Sequence, residues 1–220
     1  MKKIIKILSV LFLCAFICCS CGLANKLGFD TYDYMGEQIT ASLDVNGEEA
    51  DTAKKILRIL ITDSTDLPFF DNMSQAIKEY RDAVLNFMLD DGYAKYSGNT
   101  ELIEKASREY PEYNITQIVP EGDFEATMYR YFGGDVKISH KDGNRFKYLP
   151  KVGAYISTIK PAGAVPDIII TEIKETDKTY RVKFRTELDG VSSDEYFALI
   201  IKRSDGTYYI KKLLTSSSVS

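Results

Sequence analysis

Several residue types that build protein sites are scarce or missing in this chain. Its 220 residues contain no tryptophan, one histidine and four cysteines, and no cysteine follows residue 21. A domain formed by the rest of the chain therefore has no disulfide and no thiolate metal site. His140 alone also cannot build the common zinc sites, which take several histidine or cysteine ligands. We predict neither a metal ion nor a cofactor.

The motifs of common enzyme classes are missing as well. The sequence has no Gly-x-Ser-x-Gly and no Ser-x-x-Lys accompanied by its partner motifs. Gly133-Gly134 lacks the glycine and lysine that complete a phosphate loop. No acidic and basic pair can be recognised by its spacing, so we predict that the domain is not an enzyme.

The first residues have the pattern of an export signal. Three lysines lie within residues 1–6, and residues 7–19 are apolar or cysteine apart from Ser9. Thirteen helical residues span about 20 Å, whereas a membrane core is roughly 30 Å thick. The pattern therefore predicts a signal peptide over residues 1–21 and not a membrane span.

The apolar run ends in Cys18-Cys19-Ser20-Cys21-Gly22, which resembles a lipobox. Ser20 supplies the small residue that precedes a lipid-modified cysteine, so Cys21 is the predicted site of lipidation. Cysteines two and three places upstream depart from the usual pattern, and Cys19 is the alternative. An ordinary secretory signal is a second alternative. The resemblance implies a palmitate-type acyl anchor and a lipoprotein on the outer face of the cytoplasmic membrane.

The charge of the chain restricts its partners. The net charge is −4, and it is more negative without the lysines of the first 21 residues. The sequence has no local run of lysine and arginine, so nucleic acids and anionic headgroups are poor candidate partners. We predict contact with the membrane through the lipid on Cys21, and a partner that is an envelope protein or polymer.

Periodicity predicts helices in the first part of the chain, after a polar tether over residues 22–38. Residues 39–45 alternate as a strand, and residues 49–62 have a helical period, although a strand over 56–61 is the alternative. A long helix has one face marked by Met73, Ile77, Tyr80, Val84 and Met88; Asp71 or Asn72 caps it and Gly92 ends it. Two more helices are predicted, over 100–110 and from a cap at Asp123 to Phe132, the latter ended by Gly133-Gly134.

After Gly134 the period changes to two, which predicts antiparallel sheet. Strands are predicted at 136–140, where Val136, Ile138 and His140 share one side, at 146–148, 155–159, 167–175, 180–188, 195–203 and 208–214. Asp189-Gly190 is typical of a type I′ hairpin turn. The prediction is one α+β domain over residues 39–214, with helices packed on a curved sheet. Residues 39–62 either belong to it or form a strand-helix appendage, and 215–220 form a loose tail.

The ending Tyr196-Phe197-Ala198-Leu199-Ile200-Ile201-Lys202-Arg203-Ser204-Asp205-Gly206-Thr207-Tyr208-Tyr209-Ile210-Lys211-Lys212-Leu213 resembles the NTF2-like (cystatin-like) superfamily, as found in lipoproteins of Gram-positive bacteria. The resemblance covers residues 50–214. It implies a cone-shaped α+β fold with an internal cavity. Members of the superfamily include binding modules, isomerases and dehydratases, so fold alone does not select a function.

The chain contains 15 tyrosines and 11 phenylalanines. Tyrosine combines apolar area with a polar tip, which suits ligand pockets, but it is equally an ordinary strand residue. The candidate ligand-binding residues near the expected mouth of the cone are Tyr129, Tyr131, His140, Tyr148 and Tyr155. We predict a non-catalytic binding module. The alternative is an isomerase or dehydratase that uses a cavity carboxylate or His140 together with a tyrosine.

Overall fold

The computed structural model describes residues 38–62, 64–134, 136–158 and 164–215. The predicted signal peptide, Cys21, the tether up to residue 37 and residues 216–220 lie outside the described residues. In the part that is described, no helix is long and apolar enough to cross a membrane.

The first elements belong to the main core of the domain. Strand β1 is only Ala41–Ser42, shorter than the predicted 39–45, and it pairs antiparallel with residues 174–175. Helix α1 is Glu48–Leu57, and the chain then tightens into a 3₁₀ turn over Arg58–Leu60. The helix buries its apolar face completely at Ala50, Ala53 and Leu57. The helix predicted over residues 49–62 is therefore confirmed up to residue 60, and the alternative of a strand over 56–61 is wrong.

Local capping signals set the bounds of the next helices. Helix α2 spans Met73–Asp91, where the Asn72 side chain accepts a hydrogen bond from the Gln75 N–H at 3.1 Å. Gly92 ends α2, as predicted, and the short helix α3, Tyr93–Ser97, follows it directly. Helix α4 spans Thr100–Glu109, which confirms the helix predicted there.

Helix α5 spans Glu121–Phe132 and follows the two-residue strand β2, Val119–Pro120. The prediction that Asp123 caps this helix is wrong, because the helix begins two residues earlier, where the Glu121 N–H donates to the Gly153 carbonyl at 2.9 Å. Asp123 lies in the first turn and pairs with Lys95 at 2.6 Å. Gly133 ends the helix with a φ of 77°, a conformation that favours glycine.

A small antiparallel sheet follows α5. Strands β3, Phe146–Leu149, and β4, Ala154–Ser157, form a hairpin, and β2 pairs with the other edge of β4. The strand predicted at 136–140 is wrong, because that segment is not part of either sheet. Its side chains still alternate: Ile138 and most of His140 are buried, whereas Lys137 and Ser139 are exposed.

None of the described strands pairs with this segment. Two neighbouring side chains of α2 form hydrogen bonds with its backbone and with the residues that follow it. The Arg81 guanidinium donates to the Ser139 carbonyl at 2.9 Å and to the Lys141 carbonyl at 3.4 Å. The Asp82 carboxylate accepts from the N–H groups of Asn144 at 2.7 Å and Arg145 at 3.1 Å. Backbone N–H and C=O groups that a strand would pair with a neighbouring strand form hydrogen bonds with these side chains instead.

The rest of the chain forms the large antiparallel sheet. Its strands are β5 (Asp167–Glu175), β6 (Thr179–Leu188), β7 (Val191–Ser192), β8 (Tyr196–Lys202) and β9 (Tyr208–Thr215). The order is β1-β5-β6-β8-β9, with β7 paired to β6, and neighbouring strands are antiparallel, so the antiparallel sheet predicted here is confirmed. Asp189 and Gly190 both have positive φ, 51° and 79°, as a type I′ turn requires.

Helices pack on this sheet, so the α+β class is confirmed. Helix α1 contacts β5 and β9, and α5 contacts both β9 and α2. The β5–β6 and β8–β9 pairings each contain a register shift, a feature that commonly bends a strand. A single cluster of buried side chains joins the helices to the large sheet, and a smaller one joins α4 to the small sheet.

Candidate functional site

His140 lies between α5 and the small sheet, with 14% of its side chain exposed. Its Nδ1 is 3.0 Å from the Tyr155 hydroxyl of β4. Its Nε2 is 3.0 Å from Glu125 Oε1 of α5. Both ring nitrogens are therefore engaged within the fold.

The partners of the ring fix its tautomer. An ionised carboxylate can only accept hydrogen bonds, so Nε2 carries a proton and donates it to Glu125. In the neutral ring Nδ1 then accepts from the Tyr155 hydroxyl. This arrangement links the helix, the 136–140 segment and the small sheet through one side chain.

Tyr148 of β3 covers His140 on its solvent side. The two rings are stacked, with centroids 5.2 Å apart and planes at 22°. The Tyr148 hydroxyl donates a short hydrogen bond to Glu121 Oε2, an oxygen 4.0 Å from His140 Nε2. Because Glu121 holds the hydroxyl proton, the pKa of Tyr148 is raised to about 12.

Tyr155 is fully buried beneath the histidine. Burial raises the pKa of Tyr155 to about 12, so the hydroxyl stays protonated at neutral pH. Phe124, also fully buried, packs against Tyr155 at 5.1 Å and against His140 at 6.4 Å between ring centroids. The cluster is thus closed on its inner side by aromatic rings.

Glu121 and Glu125 face the same side of α5, as residues four apart in a helix do. Their side chains are 43% and 35% exposed, so each carboxylate meets solvent as well as His140. Neither glutamate is among the site residues predicted from the sequence, although their spacing of four places them on one helix face. No group of three histidine, cysteine, aspartate or glutamate side chains within the described residues could hold a metal ion.

The five predicted ligand-binding residues do not form a single site. The structure brings His140, Tyr148 and Tyr155 together, with their ring centroids 5.1–5.8 Å apart. The Tyr129 hydroxyl instead donates to the Val136 carbonyl at 3.3 Å. Tyr131 contacts Phe87 edge-on and lines a different part of the surface.

Tyr131 lines a cleft of about 260 Å³ between α1, the end of α5 and the turn that joins β8 to β9. We call it the tyrosine cleft. Its walls include two tyrosines, two threonines and two cations, and none of the described lining residues is acidic; these are Thr52, Lys55, Ile56, Arg130, Tyr131, Gly206, Thr207 and Tyr208.

Neighbouring contacts hold the tyrosine cleft open in one shape. The Arg203 guanidinium donates to the carbonyls of Tyr129 and Arg130, both at 2.9 Å, which fastens the end of α5 to the turn. Tyr208 is stacked on Tyr180 with centroids 5.7 Å apart and planes at 21°. Its walls are therefore ordered before any ligand binds.

Comparison of the chain with protein-family models, with curated proteins and with solved structures gives no match.

Proposed function

We propose that the chain is a lipoprotein anchored through Cys21 at the outer face of the cytoplasmic membrane, and that its folded domain is a non-catalytic binding module for a component of the cell envelope. The export signal and the lipobox resemblance support the anchor. The tyrosine cleft is the observation that carries the binding function.

The composition of the tyrosine cleft suits a polar ligand that also has an apolar face. The rings of Tyr131 and Tyr208 offer apolar area, and the Thr52 hydroxyl offers a hydrogen bond, whereas the Thr207 hydroxyl already donates to Asp205. Lys55 and Arg130 add positive charge without a carboxylate among the described walls. A few convergent polar groups around aromatic walls are what binding sites commonly contain.

The state of His140 supports the absence of catalysis. A general base must reach a substrate proton with an unshared nitrogen, whereas Tyr155 and Glu125 occupy both nitrogens of this ring. We infer that the cluster ties α5 to the small sheet and so contributes to the stability of the fold.

A second candidate function is an isomerase or dehydratase, and one observation favours it. Glu125, His140 and Tyr155 lie in a hydrogen-bonded row, and a row of this kind can relay a proton. Within this row, Glu125 and Nε2 lie nearest to solvent. Catalysis would therefore require the hydrogen bond between them to break, so that a substrate could reach Nε2.

Site-specific photo-crosslinking in living cells tests the binding function. With p-benzoylphenylalanine in place of Thr207, at the wall of the tyrosine cleft, we expect a covalent adduct with an envelope component. The adduct should weaken when Tyr131→Ser is added, because a wall of the cleft is lost. The measurement is the mass and yield of the adduct.

The matched control carries the same photo-reactive residue at Val191, which is 63% exposed. The strand register places Val191 at the opposite end of the sheet from Thr207. Adducts that are the same from both positions, or that do not depend on Tyr131, would contradict a binding role for the tyrosine cleft.

A further inference from the structure

A second cleft, of about 240 Å³, lies between α2 and the 136–141 segment. The outward side chains of that segment form one wall and the exposed face of α2 forms the other. We call it the cationic cleft. Its polar and charged lining residues are Ser74, Lys78, Arg81, Lys137, Ser139 and Lys141.

The cationic cleft concentrates positive charge on an acidic protein. Four of its lining residues are lysine or arginine, and none of those described there carries a carboxylate. Lys78 pairs with Glu79 at 2.8 Å. Lys137 and Lys141 form no ion pair with any part of the chain that the structure describes.

The adjoining surface carries the carboxylates of Glu79, Asp82 and Asp142. Glu79 is the partner of Lys78. Asp82 accepts the backbone N–H groups of Asn144 and Arg145, and Asp142 accepts from the Lys147 ammonium group and the Tyr148 N–H. Within the described chain neither aspartate forms an ion pair with Lys137 or Lys141.

Arg81 forms the fixed part of the cationic cleft. Only 5% of this residue is exposed, and its two terminal nitrogens donate to the carbonyls of Ser139 and Lys141. Its Nε is buried without a hydrogen-bond partner among the described residues. The nitrogens of this guanidinium are therefore bonded or buried, so Arg81 would attract an anion in the cleft through its charge and not through a direct hydrogen bond.

We propose that the cationic cleft binds a phosphate group. A phosphate oxyanion has several acceptor oxygens for the ammonium groups of Lys137 and Lys141, and it carries one or two negative charges. A carboxylate carries only one, so the positive charge that Lys78 and Arg81 add to the cleft favours phosphate. The inference goes beyond the proposed binding function, because the cationic cleft shares no described lining residue with the tyrosine cleft.

The phosphate could be free inorganic phosphate or the phosphodiester of a lipid headgroup, and both have the same recognising chemistry. The full chain is purified in neutral detergent and titrated by calorimetry with inorganic phosphate and, separately, with glycerophosphoglycerol, a deacylated headgroup. We expect at least one of them to bind more tightly than acetate. Binding of the diester alone would assign the site to headgroups, and binding of inorganic phosphate alone to the free ion.

Replacing both unpaired lysines, with Lys137→Gln and Lys141→Gln, should weaken phosphate binding about tenfold or more, because two charge-assisted hydrogen bonds are lost. The matched control is Lys105→Gln with Lys211→Gln, which removes the same charge from exposed positions outside this cleft. The control should keep the affinity of the unmodified chain.

Three results would overturn the phosphate site: no binding of either phosphate compound, acetate binding as tight as phosphate, or equal losses in the two double variants. None of them bears on crosslinking from Thr207, which reports on the tyrosine cleft. The phosphate site can thus fail while the binding module stands.

Discussion

Replacing Cys21 with serine should abolish incorporation of a labelled palmitate analogue into the protein. Cys21 follows the small residue Ser20 at the end of the apolar run, and its thiol is the predicted site of the lipid. A stable anchor needs more than one acyl chain, so loss of the modified cysteine removes the means of anchoring. We also expect an alkaline carbonate wash to release the variant from membranes that retain the unmodified protein.

The matched control is Cys19→Ser, which removes a thiol from the same segment. This variant should keep the label and stay with the membranes. If the label is lost with Cys19→Ser and kept with Cys21→Ser, Cys19 is the lipidated residue. If both variants keep the label, another residue carries the lipid, and if the unmodified protein takes up no label, the lipoprotein assignment is contradicted.

Replacing Phe124 with alanine should lower the free energy of unfolding by about 3–5 kcal/mol, the usual cost of emptying a phenylalanine site in a core. Phe124 is fully buried and packs against both His140 and Tyr155. The cavity left behind would therefore also loosen the ring that ties α5 to the small sheet. Urea unfolding followed by circular dichroism measures the change.

Phe69→Ala is the control for this experiment, because it makes the same chemical change at a side chain that is 60% exposed. Its effect should stay within about 0.5 kcal/mol, as is usual for surface positions. Equal losses of stability in the two variants would contradict the packing described around His140.

Much of the fold could be predicted because its signals are local. Asn72 and Gly92 lie at the ends of the helix that they delimit, and Asp189-Gly190 forms the turn that its sequence favours. Alternation then predicted the four long strands of the large sheet. The NTF2-like resemblance stays a prediction.

The strand predicted at 136–140 shows where local signals are insufficient. Its alternation correctly separated inner from outer side chains, but pairing partners are not encoded in alternation. Arg81 and Asp82, distant in sequence, hold the backbone from Ser139 to Arg145 and take the place of a ladder. The sequence does not show which distant side chains will satisfy a given backbone segment.

The sites depend on the same long-range contacts. Lys78 and Arg81 meet Lys137 and Lys141 only because the 136–141 segment folds against α2, so no basic run was visible in the sequence. Glu125 reaches His140 across the space between α5 and that segment. Tyr131 and Tyr208 likewise share a cleft that neither local sequence indicates.

The most direct test of a binding module without catalysis is the nuclear magnetic resonance spectrum of the His140 ring nitrogens. The chain has one histidine, so the signals need no assignment. In mildly alkaline buffer, in which free histidine is neutral, we predict one tautomer protonated at Nε2, with a slowly exchanging proton held by Glu125. A ring that exchanges its proton rapidly and populates both tautomers would show a nitrogen free to meet a substrate. That result would contradict the structural role of His140 and favour the acid-base enzyme.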